Sequence, residues 1–399
     1  METGEASFQT GEAVRRVRED GEHPSLLTEV VRGREQFLKL KTAWDAALTA
    51  GPDPSPALAH DFLRLWLESF AASRSPITLV VRRQQRIATA LGLLLGSERV
   101  EGIPVRIAEG WTNAHSTRGG LLRGPDSTGA IPRVVELALQ EPWDVLRLRD
   151  VPREHDELEQ LSQSLRKGGC SVAFEMPMDS PYVPIPPSWE ELEKRLDARF
   201  RQNLRRRHRR LEEHGPVRFE LVTGAEGLDA ALEDAFTIEA AGWKGEEGSA
   251  IRSRPELVSF YSAWARMLAQ QGKLRLSFLC LGDTRIAFQF AFADRGRWWL
   301  PKCGFDEKYR ECSPGQLLMA EALKQCITER LEVFEFLGFS MPWKRDWTPL
   351  VHPHATLWAF RSTPRGRLAG LLRGEVRPRI AQAWHALQSR FHRAHGDAT

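Results

Sequence analysis

Two stretches of this chain, LVVRRQQRIATALGLLL at 79–95 and LSFLCLGDTRIAFQFAF at 276–292, share one design: an apolar strand, a polar turn, Arg-Ile-Ala and a second apolar strand. The likeness extends outward from both. In the first half, 25–31 alternates as a strand, 34–50 and 57–72 have helical spacing, and strands follow at 77–82, 86–95 and 105–108. A helix at 131–139, a strand at 144–149, a helix at 157–166 and a strand at 172–174 complete it. The second half gives a strand at 217–222, helices at 228–241 and 256–271, a hairpin at 274–281 and 284–293, and a strand at 297–303. A helix at 315–330 and strands at 333–337 and 356–361 end that half. Repetition at this length means duplication of a whole domain, not a solenoid of short units, and 399 residues suit two domains. The expected class is α/β with a mixed sheet.

The boundaries follow from punctuation. Residues 1–24 are polar, carry both signs of charge and read as a disordered lead; 25–180 form the first domain. Pro181, Pro184, Pro186 and Pro187 mark a linker or crossover over 181–215, because adjacent prolines continue neither a helix nor a central strand. Ser188 with Glu191 three residues on makes a capping box for a helix expected to run to about His214. The second domain occupies 216–362 and a basic amphipathic tail 363–399.

Balanced charge, 56 basic against 53 acidic residues, excludes no partner but favours neither nucleic acid nor an anionic membrane. The five cysteines are scattered without the close pairing of a metal or redox site, which fits apolar filling in a reducing compartment. The N-terminus has no apolar run like that of a signal peptide, and the longest apolar stretch, 88–95, falls far short of the roughly 20 residues that span a bilayer. A cytoplasmic location is expected.

The segment GRWWLPKCGFDEKYRECSPGQLLMAEAL is the most specific in the chain. Trp298, Trp299, Gly304, Phe305, Asp306, Tyr309, Ser313, Pro314, Gly315, Leu317 and Leu318 carry a resemblance to the cellulose-biosynthesis-type acetyltransferases, a branch of the GNAT superfamily. Trp243-Lys244 and Trp343-Lys344 with Trp347 support it over about 190–362, although members more often carry tyrosine where Trp343 stands. Doubling of such a domain also resembles the Fem-type transferases, which attach amino acids to cell-wall precursors. The resemblance implies two tandem GNAT-like domains. The first is expected to be degenerate, with Arg118-Gly119-Gly120-Leu121-Leu122 standing where Ser-Pro-Gly-Gln-Leu-Leu stands in the second.

The chemistry of these residues fits that reading. Several backbone N–H groups converging at a helix start bind a pyrophosphate, since the first turn lacks intrahelical acceptors and the helix dipole favours anions. Ser313, Gly315, Gln316 and Leu317 supply such a start, with Pro314 shaping the turn. The resemblance implies that the strand before this loop parts from the strand after the helix. The acyl-pantetheine arm of acetyl-CoA or another acyl-CoA would enter there, bonding to Leu300, Lys302 and Cys303, and a backbone N–H would stabilise charge on the thioester oxygen. No metal is required. An amine acceptor needs a base, for which Glu239, Asp306 and Asp346 are candidates. Tyr309 is a candidate acid toward the leaving thiolate, and Lys344 a contact for substrate phosphate or carboxylate.

No zinc spacing, nucleophile elbow, Walker loop or dinucleotide fingerprint is present. The leading expectation is an acyl-CoA-dependent N-acyltransferase acting on an amino sugar or related precursor of polysaccharide or envelope synthesis. Alternatives are an aminoacyl-tRNA-dependent Fem-type transferase, binding RNA through the arginines at 201–210, and a non-catalytic scaffold of the same fold. Aromatic residues are sparse among those arginines, which argues against nucleic acid. The basic tail offers peripheral contact with an anionic membrane.

Overall fold

The computed structural model describes residues 26–52, 55–116, 118–154, 156–241 and 250–376. The expected lead at 1–24, the Trp243-Lys244 pair and most of the basic tail lie outside them.

In the first half, β1 (Leu26–Arg32) leads into α1 (Arg34–Leu38), α2 (Lys41–Ala50) and α3 (His60–Phe70). The meander β2 (Pro76–Arg83), β3 (Arg86–Val100) and β4 (Ile103–Gly110) follows, then the short β5 (Leu122–Arg123). The half ends with α4 (Ala130–Gln140), β6 (Val145–Pro152), α5 (Glu157–Lys167) and the long β7 (Ser171–Pro184). Two helices, α6 (Trp189–Arg195) and α7 (Ala198–Glu212), bridge to the second half. There β8 (Val217–Val222), α8 (Leu228–Ala240), α9 (Pro255–Gln270), β9 (Leu274–Leu281), β10 (Thr284–Asp294) and β11 (Arg297–Phe305) repeat the opening order. After them come α10 (Pro314–Thr328), β12 (Val333–Glu335), α11 (Pro342–Arg345), β13 (Val351–Phe360) and α12 (Pro364–Leu371).

The duplication therefore holds in three dimensions, and both copies share one sheet, ordered β1-β2-β3-β4-β6-β13-β7-β12-β11-β10-β9-β8 with β5 beside β3. The seam is a strand exchange. β13, from the end of the second half, lies between β6 and β7 of the first, and β7 in turn reaches β12 through its last three residues. The residues expected to form a linker at Pro181 and Pro184 are thus the end of a strand. Pro181 pairs with Val351 and Pro184 with Val333, and the Pro181 carbonyl still accepts from Phe336 N–H at 3.0 Å. A proline forfeits only its donor, so it fits where the strand changes neighbours.

Helices cover both faces. One face carries α1–α3 and α8–α9 over a single apolar cluster spanning the halves, in which Phe62 of α3 meets Trp264 of α9 at 5.0 Å. On the other face α4 and α5 cover the first half, and α6, α7 and α10 the second. The expected helix 188–214 is two helices. Ser188 caps α6 through the Glu191 N–H at 3.3 Å, but Asp197 starts a new one by accepting from Arg199 and Phe200 N–H. Such a cap contributes about 1 kcal/mol and here re-aims the arginines. The expected helix 34–50 likewise breaks at Lys39–Leu40.

Candidate functional site

The donor side of the site is a parting of strands. β11 runs beside β10 through Phe305, but it pairs with β12 only over Arg297–Trp299, the last rung being Trp299 with Glu335. Beyond it the chain leaves β12 through Leu337 and Gly338, both at positive φ. On that side residues 300–305 pair with no strand among the described residues, which is the parting that the resemblance implied. The turn at Glu307–Cys312 then brings the chain to α10.

Ser313 sits in the left-handed region (φ 48°, ψ 57°), a conformation costing a non-glycine residue about 1–2 kcal/mol. Its hydroxyl turns back to the Arg310 carbonyl at 3.5 Å and does not cap α10. The N–H groups of Gln316 and Leu317 go to the Ser313 carbonyl, at 3.0 and 3.3 Å. Pro314 has no N–H, so the Gly315 N–H is the first-turn donor with no acceptor among the described residues. Gly315 is also open: a Cβ there would meet only the Phe305 ring, at 3.4 Å. That one contact joins the loop to the unpaired edge of β11. The residues fit a pyrophosphate-bearing thioester, with a helix-start donor that has no acceptor among the described residues and, leading from it, a stretch of β11 that β12 no longer pairs.

On the other face of β11 lies a polar cluster fed by both halves. Glu239 of α8 is buried and accepts from the Ile251 N–H at 2.8 Å, with the Lys302 ammonium 3.7 Å away. A Cβ on Gly304 would stand 3.5 Å from the Glu239 Cα, so α8 crosses directly over this edge. Lys302 also stands over the Tyr261 ring at 5.8 Å. The Tyr261 hydroxyl contacts His115 Nδ1 at 3.1 Å, and the imidazole stacks on Phe70 of α3. Burial, then the charge of Lys302, pushes the His115 pKa down to about 4. Burial also raises the Tyr261 hydroxyl well above its usual range. At neutral pH both are uncharged.

A second network marks the seam where β11 and β12 part. Glu335, fully buried, receives Arg297 Nη1 at 2.5 Å and Arg118 Nη2 at 3.1 Å, and His352 Nε2 lies 3.4 Å away. His352 in turn contacts Glu154 at 2.6 Å and stacks on Tyr182. Burial opposes charge on Glu335, but its three cationic neighbours outweigh it and hold the carboxyl below its usual range. For His352 burial is likewise outweighed, by Glu335 and Glu154, and its pKa is raised.

The structure separates the residues singled out in the sequence. Glu239, Leu300, Lys302 and Cys303 lie at the parting, and Ser313, Gly315, Gln316 and Leu317 at the helix start. Gln316 is committed sideways: its amide donates to the Trp343 carbonyl and accepts from the Trp347 indole at 2.6 Å. Asp306 caps the following turn through the Lys308 N–H at 3.0 Å, and Tyr309 packs on the core beneath α10. The Lys344 ammonium is buried, donating to the carbonyls of Leu337 at 2.5 Å and Phe339 at 2.9 Å. Asp346 sits at the end of α11. His115, Tyr261, Glu335 and His352 escaped the sequence reading, and Arg118 was read only as part of the first-half loop, not as a partner of Glu335. Only the His-Pro-His run at 352–354 gave a signal for any of them.

The equivalent parting in the first half is filled by the chain itself. β4 pairs with β6 only at Ile107–Glu109. Residues expected to mirror the phosphate loop, Arg118 to Leu122, do not open a helix; α4 starts later, behind left-handed Gly129. Instead the Gly119 N–H donates to the Asp150 carbonyl at 3.0 Å, and the Leu121 N–H to the buried carboxylate of Glu157 at 2.8 Å. A Cβ on Gly119 would fall 2.2 Å from the Arg149 carbonyl, so only glycine lets the loop run this close to β6. Among the described residues no group of three or more His, Cys, Asp or Glu is arranged to hold a metal, and no helix is long and apolar enough to cross a membrane.

Comparison with known proteins follows the same division. Residues 198–345 match the acetyltransferase (GNAT) domain family. No curated protein matches the sequence. Among solved structures, FemX aligns over 80% of this chain and 96% of its own, with a TM-score of 0.53 at 11% identity. A conserved protein of unknown function from Bacteroides thetaiotaomicron VPI-5482 aligns over 82% and 97%, with a TM-score of 0.54 at 10% identity. At such identities the likeness is one of fold. Residues 198–345 thus match a GNAT acetyltransferase domain, and the chain as a whole has a fold similar to that of FemX.

Proposed function

We propose that the second half is an acyl-CoA-dependent N-acyltransferase whose donor lies along residues 300–305 and whose amine acceptor enters on the Glu239 side. The observation that supports this best is the contrast between the halves. The first-half parting is closed by its own loop, whereas in the second β12 stops pairing with β11 after Trp299 and the Gly315 N–H has no acceptor among the described residues. A thioester donor supplies the activated acyl group. The protein's part is to bind its pyrophosphate at Gly315, align the arm on β11 and remove a proton from the acceptor.

Glu239 is the proposed base, because its carboxylate is held over the strand edge by Ile251 N–H and Lys302. An alkylamine reaches the site as an ammonium ion and must lose a proton before it attacks. The neutral His115–Tyr261 pair would line the acceptor side without adding a second charge. The acceptor class, an amino sugar or related precursor of polysaccharide or envelope synthesis, rests on the family resemblance alone.

Calorimetric titration with acetyl-CoA and longer acyl-CoAs tests the reading. Saturable binding is expected, and Gly315→Glu, which places a carboxylate in the open loop, should abolish it. Absence of binding by every acyl-CoA would refute the proposal.

A further inference from the structure

The helix α7 carries seven arginines, Arg199, Arg201, Arg205, Arg206, Arg207, Arg209 and Arg210, and the acyl-transfer reading uses none of them. Phe200, Leu204 and Leu211 bury one face. Arg199, Arg206, Arg207 and Arg210, at i, i+7, i+8 and i+11, fall on one flank of that face, and Arg201, Arg205 and His208 on the other. The two flanks have different neighbours. On the second, Arg205 pairs with Glu193 at 2.9 Å and Arg201 reaches the Glu193 carbonyl.

The first flank faces the candidate phosphate loop. Arg210 pairs with Glu311, two residues before Ser313. Phe200 packs edge-on against Trp347, the residue that bonds Gln316. Asp346, beside Trp347, lies in the field of Arg207. Arg207, with Arg206 next to it on the helix and Arg199 on the same flank, thus lies on the side toward the start of α10, and among the described residues no carboxylate lies within 4.0 Å of these three. Cations left unpaired beside an anion site call for a ligand charge, since Glu212, the one acid on α7, lies against His208.

We propose that the flank of α7 bearing Arg206 and Arg207, with Arg199 beyond, binds the 3′-phosphate of the coenzyme A moiety. This rests on the acyl-CoA reading of the Gly315 loop and extends it. The Gly315 N–H and helix dipole suit the pyrophosphate, but a phosphomonoester dianion requires full positive charges, which guanidinium groups supply in a geometry matched to phosphate oxygens. The patch is small and bounded by Glu311 and Asp346, which suits one phosphate better than a polyanion.

The test is calorimetric titration of the full chain with coenzyme A and with 3′-dephospho-coenzyme A. It compares wild type, an Arg206→Ala/Arg207→Ala variant and an Arg201→Ala/Arg205→Ala control from the opposite flank. Wild type should prefer coenzyme A by about tenfold or more, a ratio in keeping with charge-assisted bonds to one phosphate. The Arg206→Ala/Arg207→Ala variant should lose that preference while its affinity for the dephospho form stays unchanged, and the control should behave as wild type. Equal affinity of wild type for the two ligands would overturn the proposal, as would equal weakening of both by the variant. If wild type bound neither ligand, the acyl-CoA reading itself would fall, an outcome distinct from loss of the 3′-phosphate preference alone.

Discussion

Replacing Glu335 by glutamine should destabilise the protein far more than a conservative change of one side chain suggests. The carboxylate is fully buried and is shared by Arg297 from its own half, Arg118 from the first half and His352 on the exchanged strand. Glutamine keeps the shape and one acceptor but removes the negative charge, leaving two guanidinium groups and a histidine facing one another. Removing one partner from a buried ionic network costs about 3–5 kcal/mol, much of it the penalty on the charges left behind. At about 2.1 cal/mol/K per residue, unfolding of the 399-residue chain as one unit carries an entropy of about 0.8 kcal/mol/K. The melting temperature should therefore fall by about 4–6 °C in differential scanning calorimetry. Arg118→Met alone should also destabilise, but Glu335→Gln made on that background should cost less, because one stranded cation is already gone. A shift below about 1 °C for Glu335→Gln, or strict additivity of the two changes, would show that the seam is not held by this network.

Lys344→Met should lower stability by about 1–3 kcal/mol in urea titration, since the Leu337 and Phe339 carbonyls lose their shared donor. His352 contributes stability fully present below its unfolded pKa of about 6.5 and lost as pH rises through its raised folded value. Stability measured from pH 6 to 9 should therefore decline, and His352→Gln should flatten the decline. Asp144 behaves oppositely. Arg106, with the Arg106 N–H and Thr363 adding to it, lowers its pKa to about 2, so its contribution is present above about pH 4 and disappears between about pH 4 and 2. Asp144→Asn should reduce the acid sensitivity of the melting temperature in that window, and an unchanged acid limb would contradict the assignment.

The elements were legible in the sequence wherever their partners are local. The hairpin β9–β10 turns at Gly282–Asp283, and its apolar alternation alone fixes it. The strand exchange was not legible, because nothing in 351–360 states that its neighbours will be β6 and β7 of the other half. Proline punctuation misled at 181–184 for the same reason: a strand changing partners can spare a donor that a uniformly paired strand cannot. The proposed donor half could be read because its residues lie in one continuous segment, 297–317. Of the proposed acceptor half only Glu239 could. Glu239, Tyr261 and His115 lie on three elements, and His115 comes from the other copy, so no spacing connects them. The break between α6 and α7 could have been found, since Asp197 followed by a helical run is a sound start signal.

The two copies show one backbone geometry put to two uses. Where two strands of a GNAT-like sheet part, an edge loses its partners, and its amides and carbonyls must find others. In the first half the chain answers locally. Gly119 and Gly120 let a loop lie against β6, and Glu157 provides a buried negative oxygen for the Leu121 N–H, in the kind of place a ligand phosphate would take. In the second half the turn at Glu307–Cys312 carries the chain away from the gap and into α10. The filling of one gap serves the other, because the same loop that closes the first half carries Arg118 to Glu335 and His115 to Tyr261. The first copy need bind nothing itself to be indispensable: its loop builds the wall and anchors the seam against which the open copy would work.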